Sequence, residues 1–260
     1  METLDLWITA EGDADYRAGY AAPTVVARGN CKSRMMSPRE FPLWSLTAEL
    51  DAGVELEWNE THGDEAVYVK NGSLTIDGRV CPADGTLILE AGVSALVRAD
   101  EPTTIVHFGP WDPNPPTTGA YGPPAEEGRT VHVVGPGGTY ALIEPGRASK
   151  FYADSTFPTS RITLLYTSRE DAYLSSPHSH SEDEIIYLLS GEIQVGQTIL
   201  KSGDAIGIAG DRRYRFKGGE HGFGFLNYRR DASYMSTAKD KPPFLEGGAI
   251  HDFNKVMDLR

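Results

Sequence analysis

His178 and His180 stand two residues apart, and Glu184 follows four residues after the second histidine. On an extended segment, side chains two apart emerge on one face, and Glu184 keeps the same parity. Two imidazoles and one carboxylate converging with open positions suit a divalent first-row metal such as Fe, Mn, Ni or Zn. The open positions would admit substrate or dioxygen in place of water. Other groups offer less. Gly135–Gly138 reads GPGG without the Lys-Ser/Thr of a phosphate loop, and no GxSxG nucleophile elbow occurs. His107 lies in an apolar run and reads as a core or edge histidine. His132 and His251 have no metal-like neighbours in sequence, and Cys81 beside Pro82 has nothing near it to activate a thiolate.

The elements that must position these residues are strands. The 28 Gly and 17 Pro fall between short runs of β-branched and aromatic residues. In the first half these are VELEW, EAVYV, SLTI, TLIL and TIVHF, with AEL as the stub of another. In the second they are RITLLYT, EIIYLL, EIQV, AIGI, YRFK and FGFLNY. One short helix is expected near the C-terminus, after Pro242 and Pro243. Between the halves, Gly109–Arg129 is too rich in Pro and Gly for a central strand or a stable helix, so it reads as a linker or a wrapping loop. The halves repeat each other. Glu65, Gly72 and Gly85 in one match Glu184, Gly191 and Gly203 in the other, with the same Glu-to-Gly spacing.

PHSHSEDEIIYLLSG, running from Pro177 to Gly191, resembles the first motif of the cupin superfamily: His-x-His, three residues, Glu, six residues, Gly. The second cupin motif is weaker. It begins at Gly203-Asp204, and Tyr214 stands where the family places its third histidine, eleven residues after the glycine. Ala209 and Asp211 replace the usual proline and glycine. The resemblance implies an all-β chain of two tandem cupin barrels (double-stranded β-helix, jelly roll). The expected division is a degenerate barrel over 1–110, a linker over 111–129 and a metal-binding barrel over 130–260. His178, His180 and Glu184 are the expected ligands. Tyr214 is open to several roles, as a phenolate ligand, as a group orienting water or substrate, or as a bystander with His221 swinging in. A three-ligand site with Tyr214 close by is favoured. In the first half, Asn59 and Thr61 fall at the histidine positions, and Leu96 or Ala95 at the third. Glu60, His62, Asp64 and Glu65 there read as a solvated acidic turn.

Arg161, Tyr166, Tyr187, Phe216, Phe225 and Asn227 are the larger groups able to line the second barrel, and strand parity allows about half of them inside. Aromatic walls with one arginine suit a small organic substrate bearing an oxyanion. The expected function is a metal-dependent enzyme of the dioxygenase type, Fe(II) favoured over Mn, Ni or Zn, with Tyr214 and Arg161 acting on the substrate. A non-redox isomerase, lyase or hydrolase is the alternative, and a non-catalytic sensor or storage protein comes third. A net charge of −13 argues against nucleic acid and anionic membranes as partners. No run of about 20 apolar residues and no signal peptide is evident. A cytoplasmic homodimer with reduced Cys31 and Cys81 is therefore expected.

Overall fold

The computed structural model describes residues 5–9, 15–117, 119–237 and 243–245. The expected C-terminal helix and His251 lie outside them. Every regular element among the described residues is a strand, and the chain is all-β with antiparallel sheets.

Each half stacks a large sheet on a smaller one. In the first half, a seven-stranded sheet centred on Glu65–Asn71 and Thr103–Pro110 faces a five-stranded sheet built around Glu55–Trp58 and Ala95–Ala99. Alternate residues of both sheets, among them Leu46, Leu56, Val67, Leu74 and Val97, form one buried core. In the second half, the eight-stranded sheet is centred on Glu184–Val195 and Phe216–Arg229, each longer than the paired short runs expected there. Ser179–His180 belongs to a separate three-stranded sheet with Tyr234–Ser236.

The repeat read from the glutamates is a repeat of strand pairing. Glu65 pairs with Leu89 and Glu184 with Ile208, both 24 residues on. Val67 faces His107 as Ile186 faces Asn227. Both motif glycines also share a reason. Gly72 and Gly191 have φ of +80° and +67°, and a Cβ at either would collide with a neighbouring backbone.

The two large sheets pack against each other. Ala66, Tyr68, Val106 and Phe108 from one meet Ile185, Tyr187, Leu226 and Tyr228 from the other, and the Phe108 and Tyr228 rings stack at 5.5 Å. Ile186 and Leu188 point the other way, into the core of the second half. A strand buried on both faces needs a continuous apolar run, which is why Ile185–Leu189 shows no alternation.

Strand exchange ties the halves further. Leu6–Thr9 pairs with Ala205–Ile208 in the second half's sheet, while Val131–Val134 pairs with Thr86–Leu89 in the first half's sheet. Each half thus borrows a strand from beyond the boundary that the sequence suggests. Residues 111–129 carry no strand among those described and run along the seam. There the Arg161 guanidinium donates to the carbonyls of Gly122, Pro123, Phe157 and Ser160.

Candidate functional site

A cavity of about 400 Å³ opens between the sheets of the second half. Its walls include Phe151, Tyr173, Phe216 and Phe225, and its polar side is made by His178, His180, Tyr214, Asn227 and Arg229. The chain bends at Ser181 and Glu182, between the two histidines and Glu184. His180 and Glu184 lie on strands of different sheets, and the parity argument does not carry across that bend. Tyr214 is held beside His178 by a pair of backbone hydrogen bonds of 2.9 Å, one each way, which set the two rings 4.5 Å apart. The Tyr214 ring lies 6.3 Å from that of His180. Phe216, Phe225 and Asn227 also line the cavity, whereas Tyr187 packs between the halves. His221 is exposed.

Glu184 is buried at the end of its strand, opposite Arg229. Its Oε2 accepts hydrogen bonds from Asn227 Nδ2 at 2.7 Å, Arg229 Nη2 at 3.0 Å and Arg229 Nε at 3.2 Å. Burial works to raise the pKa of this carboxyl. The neighbouring His180 and Arg229, with hydrogen bonds from Tyr214 and Asn227, outweigh burial and hold it below the usual carboxylate value. Arg229 was not among the expected site residues. It lies two residues beyond Asn227 on the same strand, so the parity that admitted Asn227 also places Arg229 on the inner face.

The histidine nitrogens show how far this donor set fits a metal. His178 Nδ1 lies 2.7 Å from the Ser176 carbonyl, so a neutral ring carries its proton there and its lone pair on Nε2. That is a metal-competent tautomer. Glu184 Oε1 is buried without a hydrogen bond of ordinary geometry, and it too could serve a cation. His180 cannot join them as placed. Its Nε2 lies 3.2 Å from Arg229 Nη2, and a guanidinium can only donate, so this lone pair is engaged. Among the described residues no three His, Cys, Asp or Glu side chains are grouped to hold an ion. The three expected ligands therefore do not fit a metal as a set in this arrangement, because a guanidinium stands between two of them.

Arg161 is the clearest correction. It is buried, absent from the lining of the cavity, and bonded to the seam carbonyls described above. A guanidinium satisfied by backbone oxygens is a structural clamp rather than a group that acts on substrate.

Beside the motif, Glu182 sits with Asp183, Asp211 and Asp231. Burial first, then the charges of these three acids, push its pKa up to about 7, with the Ser181 hydroxyl pulling the other way. The folded chain thus keeps a proton that the unfolded chain releases near 4.5. Stability supplied by the protonated form is complete below that value and is lost as pH rises through about 7. Glu182→Gln, neutral at every pH, should match the natural chain's melting temperature at pH 4 and exceed it at pH 8. Equal melting temperatures at pH 8 would count against the burial of this acid.

The first half keeps the glutamate and fills the space around it. Glu65 Oε2 accepts from Trp58 Nε1 at 2.7 Å and bonds His107 Nε2 at 2.8 Å, all three side chains being buried. His107 is thus the satisfied core histidine that its apolar surroundings suggest. Asn59 and Thr61 are exposed, and Ala95 rather than Leu96 turns inward. Of the residues read as a solvated acidic turn, only Glu60 is exposed. His62, Asp64 and Glu65 are buried, the His62 ring nitrogens lying 2.7 and 2.8 Å from the Gly63 and Val93 carbonyls. Asp64 accepts the Ala91 and Arg161 N–H groups, which a local reading could not foresee.

A larger cavity, about 520 Å³, lies at the seam against Glu90, His132, Tyr140 and Phe157. Its buried acid is already engaged by Thr130 N, His132 Nε2 and the Thr159 hydroxyl. Cys31 and Cys81 are buried and unbridged, and burial pushes the Cys81 thiol up to about 12. No helix among the described residues is long and apolar enough to cross a membrane.

No family model matches the chain, and no curated protein matches it either. Solved structures do. A glyoxylate-induced protein from Pseudomonas aeruginosa superposes with a TM-score of 0.63 at 15% identity, over 88% of this chain and 90% of that one. Oxalate decarboxylase from Bacillus subtilis, a protein with Mn(II) centres, gives 0.61 at 16% over 91% and 80%. The E. coli protein YlbA gives 0.60 at 11% over 92% and 93%. At such identities the likeness is one of fold, and that fold, in agreement with the motif, is the cupin fold.

Proposed function

We propose that the chain is a duplicated cupin whose second half takes a small carboxylic or oxo acid and moves a proton on it, as an isomerase or lyase does. The observation that carries this is the floor of the 400 Å³ cavity, where His178, Tyr214, Asn227 and Arg229 meet. A guanidinium offers five N–H donors in a fixed fork, the geometry best matched to a carboxylate or enolate oxygen. His178, held by Ser176, presents Nε2 as the base, and the Tyr214 hydroxyl beside it can return the proton. Phe151, Phe216 and Phe225 keep water from the carbon skeleton. The names of two similar structures, tied to oxalate and glyoxylate, support the substrate class.

The oxygen-dependent version expected from the sequence needs redox iron, and neither the donor geometry nor the neighbours favour iron. A second reading places a divalent cation on His178 Nε2 and Glu184 Oε1. The buried Oε1 and the Mn(II) centres of oxalate decarboxylase favour it, and it requires the Arg229 guanidinium to leave.

Thermal denaturation with millimolar oxalate, glyoxylate and small 2-oxo acids tests the proposal. At least one should raise the melting temperature by several degrees, as ligands that bind only the folded state do. Amines of the same size should not, and His178→Ala should lose the shift. Indifference to every acid would sink it.

A further inference from the structure

We infer that Arg229 takes the place of the metal ion at the cupin motif and keeps divalent metals out. Four observations converge on it. The guanidinium bonds two of the three expected ligands at once, His180 Nε2 at 3.2 Å and Glu184 Oε2 at 3.0 Å. The His180 lone pair is one a metal would need, the Glu184 carboxylate is left with only Oε1 to offer, and an arginine stays charged under all ordinary conditions. Glu184 and Arg229 cancel each other's charge, so a dication entering beside them would meet a neutral ion pair instead of an unbalanced carboxylate.

The side chain is also anchored. Arg229 ends a central strand and pairs in register with Glu184, and it is 3% exposed. Asn227, two residues earlier on that strand, bonds the same Glu184 oxygen. The third histidine position holds Tyr214, so the motif lacks the third imidazole.

The first half offers an internal comparison. There the register partner of the glutamate is Gly109, placed by the pairing of Phe108 with Ala66, and Trp44 fills the space beside it. The equivalent glutamate, Glu65, is served by Trp58 and His107. Both halves therefore satisfy the motif glutamate with N–H donors of their own chain. One donor, His107 or Asn227, holds the same register position in each half, and the other, Trp58 or Arg229, does not.

The inference rests on the second half being the site, and not on which acid it binds. The test is metal content. The full-length chain, loaded with excess Mn(II), Zn(II) or Co(II) and then dialysed, should retain well under 0.1 equivalent by elemental analysis. Arg229→Ala and Arg229→Gln free the two ligands, and one of them should bind Mn(II) or Co(II) at least tenfold more tightly than the natural chain. Added metal should then raise the variant's melting temperature without moving that of the natural chain. The two variants guard against one that does not fold. Stoichiometric metal in the natural chain, lost on His180→Ala, would overturn the inference. So would a set of folded Arg229 variants none of which gains metal. Failure of every acid to bind would instead strike the proposed substrate and leave this result standing.

Discussion

Replacing Glu184 by alanine is expected to destabilise the chain by about 3–5 kcal/mol, the range for removing one partner of a buried ion pair. The loss exceeds that of a methylene cavity because Arg229 remains, buried and without its carboxylate. Asn227 loses an acceptor in the same step. Glu184→Gln keeps the shape and one acceptor oxygen and should cost less. The pair can be isolated in a double-mutant cycle with Arg229→Met, where the combined loss should fall short of the sum of the two. Acid supplies a second check. The carboxyl is held below its usual value, so the stability it contributes is complete above about 4.5, the unfolded value, and is lost as pH falls through the lower folded one. Glu184→Ala should therefore show a flatter fall in stability on acidification. An alanine variant that denatures in urea with an unchanged midpoint would refute the pair's role.

Much of this site could be read from residue order, and what could not has a common cause. Phe225 and Asn227 share a face because strands alternate, which is a local property, and His178 and His180 meet them across the cavity from outside that sheet. Tyr214 reaches His178 because a motif of fixed length returns the chain to that place. The repeat was legible for the same reason, since Glu65 and Glu184 hold equivalent positions in identical pairing. Arg229 was within reach of that logic, two residues past Asn227, and only its effect on the ligands needed coordinates. Arg161, Asp64 and Glu90 were beyond it. Each is polar, each is buried, and each finds partners from 27 to 97 residues away that no local pattern specifies. The exchange of Leu6–Thr9 and Val131–Val134 between halves is equally non-local. Sequence polarity suggested a solvated turn at Glu60–Glu65, and partners within the first half bury His62 and Glu65 while Asp64 is met by Arg161 of the second.

The first half yields the matching experiment. Glu65→Ala should destabilise the chain by about 3 kcal/mol or more, because the Trp58 indole and the His107 imidazole would each lose a buried acceptor. The chain of bonds runs further, since Tyr20 donates to His107 Nδ1 at 2.9 Å, and burial, with Glu65 and Cys31 adding to it, holds that phenol protonated. In a neutral His107 ring, Nδ1 then accepts from Tyr20 and the Nε2 proton points at Glu65, so one substitution disturbs three donors. Trp44 packs edge-on against His107 at 4.7 Å. Glu65→Gln should recover part of the loss, since its amide oxygen can still accept from one of the two. Binding of a small acid in the second half should be unchanged in any Glu65 variant that still folds. A variant that kept full stability would mean the donors find other partners, and one that stayed folded but lost acid binding would place part of the site in the first half. The same glutamate thus anchors a closed core in one copy and a cavity in the other, and the difference lies in what stands two residues past its cross-strand donor: Gly109 against Trp44 in the first, Arg229 in the second.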